Sequence, residues 1–365
     1  MKKISLILVI ISFLTSCGGS KEERMQKNLH QVWKDGYFEE NFDQTKTLDV
    51  LIVTNRKAKT NAFGCGEEQF GIESGSALQF GLCKVNVPRN HATGAIDLAK
   101  DSRQSSNDYF KIMEAKNLQQ SDLISVIKKS GRTPLVFVHG FNVRYQEAVL
   151  RASQIAFDLK YQGSIILFTW PAGSGDGFFE GTLLNKTYES NLTNAKASIT
   201  LFKDFLINLQ DKGIKVNLAV HSMGHQVVLP ALKQLSETDS DKIFINQLIL
   251  NAPDFDANEF KSLVKNIKSV SNKVTLYCSY NDKAMFASKT LNKGDRLGAC
   301  AFFEDIDVIN VSSIDDPTLG LGHGYYSSRP ILSDVFQTLL GIDADKRLFI
   351  VKSEPNSTEK YFLRK

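Results

Sequence analysis

The sequence predicts an α/β protein: a mostly parallel sheet with helices on both of its faces. Three observations carry this expectation. From Thr133 to Leu340 short strands alternate with amphipathic helices. The strands are apolar on both faces, as strands covered from two sides are. One strand passes into its helix through a serine, at the sheet end where ligands of such folds bind.

The elements follow in order. Pro134 to Val138 is a continuous apolar strand, and Tyr145 to Leu159 places Ala148, Val149, Ala152, Ile155, Ala156 and Leu159 in helical register. Ile165 to Phe168 is a strand. A helix follows with Ile199, Phe202, Phe205, Leu206 and Leu209 on one face. The strand containing Val216, Asn217 and Leu218 leads into a helix through Ser222, and Gln247 to Leu250 is the next strand. Asp256, just before Ala257, Asn258 and Glu259, suits the N-cap of a helix reaching about Ile267. Lys273 to Cys278 and Ile306 to Val311 are further strands, separated by a segment starting at Lys283, and a last helix runs from about Ser327 to Leu340.

The N-terminus is of a different kind. Lys2 and Lys3 precede the apolar stretch Ile4 to Phe13, too short to span a bilayer, so residues 1–16 read as a secretory signal. Leu14-Thr15-Ser16-Cys17 resembles a bacterial lipobox, which makes Cys17 the lipidated residue and the mature N-terminus. Residues 17–45 then read as that terminus and a polar tether with a reach on the order of 30 Å. The expected location is the bacterial cell envelope, with the membrane as a partner through the lipid.

About 320 residues remain beyond the tether, enough for a full core. The net charge of +4 is spread thinly, and no basic cluster is interleaved with stacking aromatics, which argues against nucleic acid. Of five cysteines, setting Cys17 aside leaves Cys65, Cys83, Cys278 and Cys300, an even number in an oxidising compartment. They allow three connectivities or free thiols. Pairing Cys65 with Cys83 and Cys278 with Cys300 closes the shortest loops.

Ser222 lies in Ala219-Val220-His221-Ser222-Met223-Gly224, between an apolar strand and the helical Gln226-Val227-Val228-Leu229. A serine hydroxyl is a weak nucleophile, and a sharp strand-to-helix turn exposes it where a histidine can take its proton. Gly224 fits such an elbow. Val220 departs from the G-x-S-x-G form, so the motif alone is also compatible with an ordinary turn. In the order serine, acid, histidine, the base lies after Ser222, where only His225 and His323 stand. His225 would have to bend back past its own helix, whereas His323 sits in the glycine-rich Leu319 to Tyr325 and can project over the sheet edge. An oxyanion hole needs two backbone N–H groups. Met223 supplies one, and Phe141, in Val138-His139-Gly140-Phe141-Asn142 after an earlier strand, supplies the other. His139 reads as a residue bonding this loop. His221 and His225 are four apart but do not share a helix face and have no Glu between them, so no metal site is expected.

With these residues in view, the chain resembles the α/β-hydrolases, and within them a bacterial branch with an HGFN segment (His139 to Asn142), Trp170-Pro171, HSMG (His221 to Gly224), Ala252-Pro253-Asp254 and a late His323 near Tyr325. Thr54-Asn55-Arg56 and Val87-Pro88-Arg89-Asn90-His91 also look like that branch's β-rich N-terminal portion. The resemblance covers Thr54 to about Leu340 and implies an α/β-hydrolase fold; the chain is read as a β-rich portion at 46–130, a catalytic core at 131–342, and a C-terminal tail at 343–365 able to form a hairpin. It implies Ser-Asp-His cleavage of esters or related acyl bonds. The usual order of the superfamily puts the acid after the second strand beyond the nucleophile, which selects Asp282; Asp254, one strand earlier, is the alternative.

The expected function is a membrane-anchored serine hydrolase of carboxylesterase or lipase type, with Ser222 attacking, His323 moving the proton and Asp282 orienting the imidazole. No cofactor is expected, and the partner is a small-molecule or lipid ester. A non-catalytic binding or scaffold lipoprotein, and an acyltransferase, are the alternatives. Between Trp170 and Asn185 a glycine-rich loop carries Phe178 and Phe179, which either line an acyl pocket or pack on the core. The sequence does not disclose the oligomeric state.

Overall fold

The computed structural model describes residues 46–101, 103–174, 181–239, 242–314, 323–354 and 357–364. Cys17, the signal and tether segments, Phe178 and Phe179 lie outside the described residues.

Eleven strands form one sheet among the described residues: β1 (Lys46–Ala58), β2 (Phe70–Val87), β3 (Lys111–Leu118), β4 (Leu135–Val138), β5 (Ile165–Thr169), β6 (Val216–His221), β7 (Ile245–Asn251), β8 (Ser271–Cys278), β9 (Asp307–Asn310), β10 (Ile350–Lys352) and β11 (Tyr361–Leu363). Their order is β10-β11-β9-β8-β7-β6-β4-β5-β1-β2-β3. The run from β11 to β1 is parallel throughout, and only β10, β2 and β3 join in antiparallel pairs.

Seven helices accompany the sheet among the described residues: α1 (Gln120–Ser130), α2 (Tyr145–Asp158), α3 (Gly181–Asp211), α4 (His225–Thr238), α5 (Ala257–Ser269), α6 (Lys283–Asn292) and α7 (Arg329–Leu339). The strands have two buried faces, and their alternation divides the core. Val136 and Val138 of β4 join α1, α3, α4 and α5 in one cluster, while Leu135 and Phe137 join α2 and α7 in the other. This is why the strands read as unbroken apolar runs. The fold is therefore the expected mostly parallel α/β arrangement, covered on both faces, with a β-rich N-terminal portion.

That portion also contains a helix, α1. Leu123 and Ile127, four apart, are its buried residues, a Gln119–Asp122 capping box starts it, and Gly131 ends it with φ +65°. Asp256 caps α5 by accepting from the Asn258 and Glu259 amides at 2.9 Å each, an arrangement contributing about 1 kcal/mol. The C-terminal strands pair with each other, and β11 also extends the sheet in parallel beside β9. Buried Arg347 bonds Asp334 of α7 at 2.9 Å and Asp307 of β9 at 3.2 Å, fastening the chain that leads into them.

Disulfides join Cys65 to Cys83 and Cys278 to Cys300. The second ties the end of β8 to the turn after α6. No helix among the described residues is long and apolar enough to cross a membrane.

The chain leaves β4 for β5 on one side and returns to β6 on the other. Such a reversal opens a crevice beyond the carboxyl ends of the two diverging strands. The loops that begin at His139 and Ser222 meet there.

Candidate active site

Ser222 opens a short 3-10 turn, Ser222–Gly224, between β6 and α4. Its φ is +51°, in the left-handed region that costs a non-glycine residue roughly 1–2 kcal/mol. Two hydrogen bonds hold it there: the Ser222 carbonyl accepts from His225 Nδ1 at 2.7 Å and from the Asp254 amide at 3.2 Å. Two glycines let the loops touch. A Cβ on Gly140 would lie 2.7 Å from the Ser222 Cβ, and one on Gly224 would lie 2.5 Å from the His139 carbonyl oxygen. The two segments expected to supply Phe141 and Met223 are thus in contact beside the hydroxyl.

His323 and Asp282 are brought together. His323 Nδ1 bonds Asp282 Oδ2 at 2.7 Å, and the Asp282 side chain is fully buried. Several local contacts position this carboxylate. The Cys278–Cys300 bridge anchors the end of β8, the Ser279 amide bonds the Gly298 carbonyl at 3.1 Å, and Asp282 Oδ1 caps α6 by accepting from the Met285 amide at 3.1 Å. The His323 backbone is held as well, since His221 Nε2 donates to its carbonyl at 3.2 Å with the two rings 4.6 Å apart. His323 Nε2 is buried and makes no hydrogen bond among the described residues, so the imidazole and the Ser222 hydroxyl are not joined. Such bonds are often long in unliganded sites and tighten around substrate.

Asp254 is engaged elsewhere. Its carboxylate accepts from the Tyr188 hydroxyl at 2.9 Å and from the Ser288 hydroxyl, with Arg296 Nη1 at 3.7 Å. Burial raises its pKa above the usual carboxylate value. This network joins α3 to α6 across the chain just after β7.

Residues to which the sequence reading gave no role hold the 139–143 loop. Trp170 Nε1 donates to the His139 carbonyl at 2.9 Å and stacks on its ring. Asn191 of α3 accepts from the Asn142 amide at 3.1 Å and the Gly173 amide at 3.0 Å, and donates to the Gly173 carbonyl at 2.9 Å, so one side chain bridges the loops after β4 and β5. Arg56, at the end of β1, donates to the Val143 and Ala172 carbonyls at 2.8 Å each. The Phe141 ring rests against Tyr188, 5.8 Å between centroids, and Met223 is fully buried. Arg56 and Trp170 carried a signal in the sequence, as parts of Thr54-Asn55-Arg56 and Trp170-Pro171, and Asn191 did not.

His221 and His225 point to different partners, the His323 and Ser222 carbonyls. Burial holds both rings neutral, His225 with its pKa lowered to about 3 and His221 well below the ordinary value. A cavity of about 480 Å³, lined by Arg56, Lys59, Glu67, Arg144 and Ser174 among others, opens on the β1–β2 side of the same sheet end, but Ser222 and His323 are not in its wall.

The sequence model of the family described as alpha/beta hydrolase of unknown function (DUF900) matches residues 115–342. No curated protein matches the chain. The matched stretch runs from β3 to the end of α7 and contains every residue from Phe141 to His323 discussed above.

Proposed function

Since more than half of its length matches, the chain belongs to this α/β-hydrolase family of unknown function, and we propose that it is a serine hydrolase cleaving carboxylic esters or related acyl bonds through Ser222, His323 and Asp282. The observation that carries this reading is the 2.7 Å bond from His323 Nδ1 to the buried Asp282 carboxylate, at the sheet end where Ser222 stands in its strained turn. A carboxylate on Nδ1 fixes the tautomer that leaves Nε2 free to accept a proton.

In this mechanism Ser222 Oγ attacks the acyl carbon as its proton passes to His323 Nε2. The amides of Phe141 and Met223 hold the oxyanion, and Asp282 stabilises the imidazolium. Breaking the C–O bond releases the alcohol, which takes the proton from His323. Water, deprotonated by the same nitrogen, then attacks the acyl-enzyme; the bond to Ser222 Oγ breaks, the carboxylic acid leaves, and His323 returns the proton to Ser222. Ester turnover by the full chain and by Ser222→Ala tests the reading: a loss of several orders of magnitude supports it, and residual activity within tenfold of wild type contradicts it.

The unformed hydrogen bond between His323 and Ser222 favours one rival, a scaffold that keeps the fold without turnover. Ester turnover by the wild-type chain separates the two.

We further propose that Cys17 carries lipid and anchors the enzyme to a membrane of the bacterial envelope, with esters at that surface as substrates. The motif Leu14-Thr15-Ser16-Cys17 after an apolar stretch supports this. Cys17→Ala should move the protein from the membrane fraction to the detergent-free soluble fraction. Retention in the washed pellet contradicts the anchor.

A further inference from the structure

Arg56 is an arginine buried to 1 % exposure with no carboxylate in ion-pair contact among the described residues, although burying a lone charge is costly. Burial lowers its pKa to about 9, which leaves it a cation at neutral pH. Its donors are spent on three neighbouring segments: β2, the end of β5 and the loop after β4. Nη1 reaches the Gly71 carbonyl at 3.1 Å and the Ala172 carbonyl at 2.8 Å, Nη2 reaches the Val143 carbonyl at 2.8 Å, and Nη2 also lies 3.5 Å from His139 Nε2. Nε donates to the Thr169 hydroxyl at 2.9 Å.

The last bond sets a direction. A guanidinium only donates, so Thr169 Oγ1 accepts from Arg56; the Gly140 carbonyl only accepts, so the neutral His139 ring carries its proton on Nδ1, and the Thr169 hydroxyl donates to Nε2, 2.9 Å away. His139 Nε2 is then the accepting nitrogen, and Nδ1–H donates to the Gly140 carbonyl at 3.0 Å. Burial and the Arg56 charge hold His139 neutral, with a pKa of about 3, so the chain of donors does not change through the physiological range. Gly140 is the residue on which a Cβ would lie 2.7 Å from the Ser222 Cβ. In a planar trans peptide the carbonyl and the following N–H point in opposite directions.

We propose that Arg56 is a positioning residue: through Thr169 and His139 it turns the Gly140 carbonyl away from the site, and so aims the Phe141 N–H at the charge that develops on the acyl oxygen. This rests on the serine-hydrolase reading above. It also gives β1 a part in the chemistry, because Arg56 lies outside the residues matched by the family.

Thr169 allows the relay to be cut with little change of shape. Thr169→Val keeps the branched form and removes the hydroxyl; Thr169→Ser keeps the hydroxyl and removes the methyl. One well-aimed oxyanion donor contributes about 10²–10³ in kcat, so misaiming it should lower kcat by roughly 10–100-fold in Thr169→Val with KM within about twofold. Thr169→Ser should recover most of that loss, and Arg56→Lys should fall with Val if it folds by circular dichroism. Wild-type kcat in Thr169→Val, or a loss in Thr169→Ser as large as in Val, overturns the relay, because packing would then decide. Turnover that does not depend on Ser222 would instead overturn the triad reading. The relay is then read from the ¹⁵N resonance of His139 Nε2, that of an unprotonated acceptor in the wild type. A resonance that does not move in Thr169→Val overturns the relay; one that moves supports it.

Discussion

Asp282 divides its carboxylate between two partners: Oδ2 takes the His323 Nδ1–H at 2.7 Å, and Oδ1 caps α6 through the Met285 amide at 3.1 Å. The helix cap fixes the rotation of the carboxylate, so the oxygen facing His323 is oriented by secondary structure rather than by a further side chain. Asp254 has no such link to the imidazole; its oxygens go to Tyr188 and Ser288.

The two aspartates should therefore respond differently to amidation. Asn caps helices about as well as Asp, so Asp282→Asn should change stability by less than about 1 kcal/mol. Its kcat should fall toward the roughly 10⁴-fold of the same change in the serine-protease example. Asp254→Asn should lower the urea midpoint and leave most of kcat. A larger kcat loss at Asp254 than at Asp282 would move the acid one strand earlier.

Gly140 is a second discriminating position. A methyl there would sit 2.7 Å from the Ser222 Cβ, closer than real carbon contacts come, and 3.2 Å from the His221 carbonyl oxygen, so one of the two loops must shift. Gly140→Ala should cut turnover by more than about 100-fold while far-ultraviolet circular dichroism stays native, since an oxyanion donor and the nucleophile are displaced together. Turnover within tenfold of wild type would show that the loops do not need this contact.

How far the sequence reaches is clear from particular residues. The strand–helix alternation was legible because strands buried on both faces leave unbroken apolar runs such as Pro134 to Val138. Ser222, Asp282 and His323 could be singled out because each follows a strand on the side where ligands bind, and the structure places Asp282 and His323 in contact. Asn191 left no trace: a polar residue in a long helix has no local pattern, and its task depends on two loops packed against α3. Arg56 and Thr169 meet only because β1 lies parallel beside β5, a pairing that composition and periodicity do not reveal. The attachment of β11 beside β9 was hidden for the same reason.

The buried histidines predict how stability depends on pH. His139 and His225 have pKa values lowered to about 3 by burial, against the ordinary 6.5. Between those values the unfolded chain binds protons that the native state does not, so stability falls as pH drops below about 6.5, by up to about 1.4 kcal/mol per pH unit for each group. Urea midpoints at pH 7 and pH 5 should show this fall, and His225→Asn should make it shallower. A fall as steep in His225→Asn as in the wild type would contradict the burial of a neutral imidazole at that position.

The central claim is that His323 activates Ser222, and covalent labelling by a fluorophosphonate reads it directly. Peptide mass spectrometry of the wild-type protein should place the adduct on Ser222. Labelling should be absent in Ser222→Ala and slowed by orders of magnitude in His323→Ala. A wild-type Ser222 that stays unlabelled, or one that labels equally fast without the His323 imidazole, would contradict the account.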